Sequence, residues 1–314
     1  MHNLLKTKLF KSISALFLSG FILNASANAT TQSNPETITG HYAKISDDVS
    51  LYYQEAGTGP VLLFIPGWTM SSDIFEAQIR YFSKKYHVIA IDPRSQGRST
   101  ITLENNDYGQ HGKDLAKFIN NLHLKNITLI GWSWGCLDAY SYIKLEGDNN
   151  LHAFVCVDLS PKASVSQGQW GDSYEGWGAS VFQPFMYNRY QYTQAWMQSI
   201  VDHPLTPKEL DYLTTQSMRT PTYVAVQEAA DAIYSDYRPE ALLLQKDHIP
   251  TLNFLSANRA TSATKWLKAN QPDSKIKVMS KHLMFWEHPD EFNQTLGEFL
   301  SGKYENSDMP SKTS

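Results

Sequence analysis

The chain alternates short apolar runs with segments of helical spacing, and this alternation restricts the folds it can adopt. Residues 61–65 and 87–91 are continuous apolar runs, which is typical of buried strands. Further strands are predicted at 126–130, 153–157, 250–255 and 275–279, and helices at 72–82, 114–122, 136–145 and 290–300. Segments 41–45 and 51–55 alternate apolar with polar residues, which predicts an antiparallel pair. We therefore expect an α/β fold with a mostly parallel central sheet and helices on both faces.

The strand pattern stops after Pro161 and returns at Pro250. Residues 163–245 show helical segments and many aromatic side chains, but no clear buried strand. This predicts a helical cap inserted between two parts of one core, 38–162 and 246–302. The last residues, 303–314, are polar and are expected to form a loose tail.

The first 29 residues have the layout of a secretory signal peptide. Residues 1–11 contain three lysines and no acidic residue, and an apolar run follows at 13–23. Ala27-Asn28-Ala29 then offers a cleavage site. A buried N-terminal helix fits less well, because it would rarely begin basic and end in small residues. The run is also too short to span a bilayer. We expect export, to the periplasm or the medium, and no membrane span.

Charge and cysteine content narrow the classes of partner. The net charge is −4, and removal of residues 1–29 would make it more negative. An acidic chain without basic runs argues against a nucleic-acid partner. Cys136 and Cys156 are too few for a disulfide scaffold and lack metal-ligand spacing. An exported protein could join them, but two separate buried thiols are favoured, because free cysteine is among the most buried residue types.

Gly131-Trp132-Ser133-Trp134-Gly135 follows a predicted strand and precedes a predicted helix. The pattern G-x-S-x-G on a sharp strand-to-helix turn is typical of a serine hydrolase's nucleophile elbow. The pattern alone would arise by chance in a chain of this length with probability of about 0.1. Its structural context makes Ser133 the candidate nucleophile.

Several ordered segments together resemble the α/β-hydrolase family over about residues 38–302. They are Phe64-Ile65-Pro66-Gly67-Trp68, residues 86–92 with Arg94, Gly97, Arg98 and Ser99, the G-x-S-x-G segment, and residues 282–289. The resemblance implies His282 as general base and, later, general acid, because it follows the last predicted strand. It also implies an oxyanion hole made by the backbone N–H groups of Trp68 and Trp134. The family often has His-Gly where this chain has Pro66-Gly67, and proline removes one N–H.

The acid of the triad is harder to assign. The family's usual loop, here residues 256–262, holds no carboxylate. Asp158 closes the strand next in sequence to the elbow strand, where some members place the acid, and it is our candidate. Two alternatives stay open: Asp158 could cap the turn at residues 160–162, or Asn258 could orient His282 in a dyad.

These residues predict an exported, carboxylesterase-like serine hydrolase that cleaves a carboxylic ester or lactone through an acyl-enzyme on Ser133. Trp68, Trp134, Trp170 and Trp177 are candidates for lining a pocket for a small apolar substrate, while Trp132 is expected to pack into the sheet. No metal or organic cofactor is implied. Residues 66–99 are also similar to the cofactor-free haloperoxidase or perhydrolase branch, which gives a second candidate activity. A weakly active ligand-binding protein is the third candidate, and substrate identity and oligomeric state stay open.

Overall fold

An eight-stranded sheet in the order β1-β2-β4-β3-β5-β6-β7-β8 organises the molecule. The computed structural model describes residues 37–162, 169–170 and 183–305. The strands are β1 Thr39–Lys44, β2 Ser50–Ala56, β3 Val61–Ile65, β4 His87–Ile91, β5 Ile127–Trp132, β6 Leu151–Val157, β7 Thr251–Ser256 and β8 Lys275–Met279. β2 pairs antiparallel with β1 and β4, and every other neighbouring pair is parallel.

Helices cover both faces of the sheet. Their bounds are α1 Glu76–Phe82, α2 Tyr108–Asn121, α3 Gly135–Glu146, α4 Gln183–Tyr187, α5 Arg189–Ser199, α6 Pro207–Met218, α7 Thr222–Tyr234, α8 Arg238–Lys246, α9 Ala260–Asn270, α10 Met284–Glu287 and α11 Pro289–Leu300. Successive side chains of a strand point to opposite faces, so Leu63 packs in the cluster that holds α2 and α3, and Phe64 in the one that holds α1 and α11. The predicted α/β architecture is confirmed.

Two of the element boundaries that differ from the prediction have a clear local cause. α2 begins at Tyr108, six residues before the predicted start, because the Asp107 side chain accepts a hydrogen bond from the Gln110 backbone N–H. His111, a polar residue that interrupts the apolar spacing, is buried in this first part of the helix. β5 continues beyond residue 130 to Trp132, since its pairing with β6 extends that far.

Helices α4 to α8 lie between β6 and β7, in the region where the sequence predicts a cap. Residues 163–168 and 171–182 of that region lie outside the described part, as do the expected signal peptide and all but three residues of the tail. The loop after β3 binds this helical insertion through the pairs Trp68 Nε1–Ala225 O (2.9 Å), Thr69 Oγ1–Ser217 Oγ (2.7 Å) and Ser71 Oγ–Gln216 Oε1 (2.8 Å). Among the described helices, none is both long and apolar enough to cross a membrane.

Cys136 and Cys156 form a disulfide, so the expectation of two separate thiols is wrong. Cys136 is the second residue of α3, just past the turn that follows β5, and Cys156 lies on β6, the strand beside β5. This places the two Cα atoms 5.8 Å apart, which is within bonding range for cystine. Sequence spacing could not show this proximity, because it arises from the pairing of β5 with β6.

Loss of the disulfide should destabilise the protein. Replacing both residues by alanine (C136A/C156A) removes a cross-link between residues separated by 20 positions. We expect the free energy of unfolding to fall by about 3 kcal/mol, measured by urea denaturation of the oxidised wild type and the variant. Two reactive thiols in the denatured, non-reduced wild type would show that the bond does not form.

A buried ionisable cluster joins the insertion to the core. His111 Nδ1 lies 2.7 Å from Asp138 Oδ1, and His111 Nε2 lies 3.9 Å from Glu228 Oε1 on α7. Burial would lower the pKa of His111, but the charge and the hydrogen bond of Asp138 outweigh it and raise that pKa to about 9. Burial raises the pKa of Glu228 to about 8. Both groups therefore hold a proton in the folded protein at pH values where the unfolded chain releases it.

This cluster predicts that stability falls as the pH rises. Between the usual pKa of glutamate and about pH 9, the folded protein binds more protons than the unfolded chain. The stabilisation that these protons give is therefore present at low pH and is lost as the pH rises through this range. We expect the free energy of unfolding, from urea denaturation, to fall by about 2 kcal/mol per pH unit between pH 6.5 and 8, where both groups contribute, and by about 1 kcal/mol per unit from pH 8 to 9.

The slope should be shallower in H111Q and unchanged in H152Q, since His152 is exposed on β6. A slope that is the same in wild type and H111Q would contradict the assignment.

Candidate active site

Ser133 occupies a strained turn between β5 and α3. Its φ is +52°, in the left-handed region that non-glycine residues rarely adopt. The turn is held by the Ser133 N–H, which donates to Val157 O (2.8 Å), and by the Cys136 N–H, which donates to Ser133 O (2.8 Å). A Cβ at Gly135 would clash with the carbonyl oxygens of Ile65 and Pro66, so the turn needs glycine there. This geometry presents the Ser133 side chain at the carboxyl end of β5.

The loop after β3 runs directly beside this serine. A Cβ added to Gly67 would lie 2.9 Å from Ser133 Cβ, so the backbone that leads into Trp68 is in contact with the elbow. Trp134 precedes the first residue of α3 and immediately follows Ser133. The two backbone segments expected to supply an oxyanion hole therefore flank the same side chain.

His282 lies in the loop after β8 and faces Asp158. The distance between His282 Nδ1 and Asp158 Oδ2 is 2.7 Å, and the histidine side chain is 14% exposed. Trp132 holds this loop, because its Nε1 donates to the His282 carbonyl (2.9 Å) and its ring packs on the imidazole at 5.4 Å. The imidazole is thus fixed from two sides, and it lines the same cleft as Ser133.

Asp158 is buried, and both of its carboxylate oxygens have hydrogen-bond partners. Its Oδ1 accepts hydrogen bonds from both the backbone N–H and the hydroxyl of Ser256 (2.8 Å each), which leaves Oδ2 for His282. Burial would raise the pKa of Asp158, but the hydrogen bond and charge of His282, together with the Arg259 charge, lower it to about 2. The group is therefore a carboxylate at neutral pH. Asn258 is exposed, and the contact expected of it in a dyad is made by Asp158 instead.

A mostly apolar cleft surrounds Ser133 and His282. Its lining residues come from the elbow, the β3 loop and α5, with a few others: Trp68, Met70, Trp132, Trp134, Leu159, Trp196, Met197, Ile200 and Arg259. The Trp68 ring packs against the Trp134 ring at 4.9 Å and against Phe185 of α4 at 4.9 Å. Trp68 and Trp134 therefore both line the cleft that holds Ser133.

One tryptophan lies elsewhere than expected, one also lines the cleft, and one lies outside the described residues. Trp170 packs on Trp266 of α9 at 5.4 Å and lines a separate cavity, so the structure corrects its predicted pocket role. Trp132 packs in the core as predicted but also lines the cleft. Trp177 lies outside the described residues.

Two groups of site residues are not evident from the sequence. The first is the wall formed by Trp196, Met197 and Ile200, which lie on α5 or directly after it. The sequence indicates a helix in this segment, but it does not show that these three side chains face the cleft. The second is Ser256, whose position at the end of β7, beside β6, places it next to Asp158. Strand order, which the sequence does not show, was needed to find it.

The pattern of the alpha/beta hydrolase fold family matches residues 60–297. A non-heme haloperoxidase of Rhodococcus erythropolis is 28% identical over 145 residues, which cover 46% of this chain and 52% of that protein. A bifunctional esterase/perhydrolase of Acinetobacter calcoaceticus is 31% identical over 127 residues, covering 40% and 46%. The matched region thus spans about half the length of these relatives.

A solved structure shares the fold over most of the chain. The bromoperoxidase from Bacillus anthracis superposes with a TM-score of 0.76 at 22% identity, covering 84% of this chain and all of that one. The family pattern spans both sides of the helical insertion, and it includes the elbow, Asp158 and His282. The chain therefore belongs to the alpha/beta hydrolase fold family.

Proposed function

We propose that this protein is a serine hydrolase that cleaves a carboxylic ester or lactone through an acyl-enzyme on Ser133. The observation that carries the proposal is the 2.7 Å hydrogen bond between His282 and a buried, ionised Asp158, in a cleft that also holds Ser133. A serine hydroxyl needs an adjacent base to become a good nucleophile. A carboxylate on Nδ1 directs the basic Nε2 of the imidazole to the other side of the ring.

In the first half-reaction His282 Nε2 takes the proton of the Ser133 hydroxyl while Oγ attacks the ester carbonyl. The carbonyl oxygen becomes an oxyanion that accepts hydrogen bonds from the backbone N–H groups of Trp68 and Trp134. Collapse of this intermediate breaks the bond to the alkoxy oxygen, and His282 returns the proton to the departing alcohol. Asp158 stabilises the imidazolium throughout and does not itself take the proton.

In the second half-reaction His282 deprotonates a water, which attacks the acyl-enzyme. The acid is released and the proton returns to Ser133. The tryptophan and α5 side chains of the cleft favour an apolar acyl or alkoxy group. The Cys136–Cys156 disulfide supports a site of action outside the cytoplasm, as the N-terminal sequence predicts.

Replacing the nucleophile tests the central role. S133A should lower kcat for p-nitrophenyl acetate by about 10⁴-fold or more, because Ser133 carries the only hydroxyl among the described residues that line the cleft. S301A, which changes an exposed serine at the end of α11, should keep wild-type activity. Steady-state assays with circular dichroism as a folding check measure both. Retention of wild-type kcat by S133A would rule out the acyl-enzyme.

Replacing the acid tests the triad against a dyad. D158N keeps the shape but offers His282 an amide, so kcat should fall by about 10⁴-fold. D273N, which changes an exposed aspartate ahead of β8, should leave kcat unchanged. If N258A reduced kcat strongly while D158N did not, the dyad with Asn258 would be correct.

Perhydrolysis is a second candidate activity, favoured by the haloperoxidase and esterase/perhydrolase names of two relatives. Hydrogen peroxide would replace water in the second half-reaction and release a peracid from the same acyl-enzyme. Peracid formation from acetate and peroxide, compared with ester turnover and repeated in S133A, separates the two. Acylation without turnover in either assay would instead favour the ligand-binding protein.

A further inference from the structure

A cluster of possible metal ligands lies beside the loop that carries His282. The carboxylates of Asp202 and Glu287 and the imidazole of His288 place one ligand atom each within 4.8 Å of one another. Asp202 follows α5, while Glu287 ends α10 and His288 precedes α11. The mechanism proposed above uses none of these three residues.

Glu287 distinguishes this cluster from an ordinary group of surface charges. Its side chain is only 1% exposed. One oxygen, Oε1, accepts hydrogen bonds from the Asp202 N–H (2.6 Å) and from His203 Nδ1 (3.0 Å). The other oxygen, Oε2, is buried and has no hydrogen-bond partner among the residues that the structure describes. A buried carboxylate oxygen without a partner is energetically costly unless a cation or donor satisfies it.

The donor set selects the class of ion. Calcium and magnesium prefer oxygen ligands only, whereas imidazole suits zinc and related transition metals. Zinc commonly takes three protein ligands from histidine and carboxylate side chains, with water in the fourth position. Asp202 Oδ2 and His288 Nε2 are 3.8 Å apart, and tetrahedral zinc with bonds of about 2.0 Å needs ligand atoms about 3.3 Å apart. The side chains of Asp202 and His288 are 37% and 45% exposed and can make this adjustment.

The hydrogen bonds around Glu287 are of the kind that orient a carboxylate ligand in a metal site. Ligating carboxylates are usually oriented by further hydrogen bonds, and the Asp202 N–H and His203 ring supply them here. The His203 ring in turn stacks parallel to Trp286, with centroids 6.5 Å apart. The Glu287 carboxylate is therefore held in place, while the more exposed side chains of Asp202 and His288 can close on an ion.

We propose that Asp202, Glu287 and His288 bind a zinc-class divalent transition-metal ion. The ion would link the end of α5 to the segment after His282. These two segments are already in contact, because the Leu283 N–H donates a hydrogen bond to Ile200 O (3.2 Å). Because Ile200 lines the cleft, the site fastens the α5 wall to the segment that carries the general base. The assignment is independent of ester hydrolysis, since binding and thermal stability can be measured without substrate.

Zinc binding by calorimetry tests this site directly. Tag-free, chelator-treated full-length protein should bind ZnCl₂ at 1:1 stoichiometry with a Kd below about 100 μM. Its Tm should rise with zinc concentration, because the ion binds only the folded state. CaCl₂ and MgCl₂ at the same concentrations should give no saturable binding.

Variants locate the ion. D202N and H288Q change half-exposed side chains, and each should weaken zinc binding at least about tenfold. E287Q should do the same, and its folding can be checked by circular dichroism. H152Q, which removes an exposed histidine on β6, should bind zinc as the wild type does. Absence of saturable zinc binding by the wild type would overturn the proposal, and so would equal binding by the wild type, D202N and H288Q.

Discussion

The hydrogen bond between Asp158 and His282 depends on how the sheet brings distant segments together. Asp158 follows β6, Ser256 ends β7, and His282 follows β8, and these three strands are parallel neighbours. The carboxyl ends of parallel strands lie at one edge of the sheet, which is where sites form in open α/β folds. Ser256 fixes one carboxylate oxygen and His282 takes the other. A buried charge at this position is tolerated only because both oxygens have partners.

Close contacts between backbone segments position the elbow and the loop after β3. The elbow requires contact between Gly135 and the end of β3, and Gly67 brings the next loop against Ser133. The insertion then holds that loop from the other side through the Trp68 Nε1–Ala225 hydrogen bond. Trp132 has a double role, since it belongs to the elbow and also holds the His282 carbonyl. The nucleophile, the loop beside it and the general base are therefore positioned by one connected set of contacts.

The sequence predicts the structure correctly where the signal is local. Continuous apolar runs identified the parallel strands, and the strand–turn–helix context identified Ser133, because these patterns reflect burial and backbone geometry within a few residues. It fails where the answer depends on which elements become neighbours. The Cys136–Cys156 disulfide, the place of Trp170 beside α9 and the α5 wall of the cleft are all of this kind. The start of α2 was missed because His111 interrupts the apolar pattern, although Asp107 provides a local capping signal.

Mass spectrometry of the protein after reaction with a fluorophosphonate shows whether Ser133 is an activated nucleophile in the folded protein. A serine is phosphonylated by such a reagent only when an adjacent base activates it. We expect a single adduct on the peptide that contains Ser133, formed by the native protein and not after denaturation. An unlabelled Ser133 in the folded protein, or a stable adduct confined to another residue, would contradict this expectation.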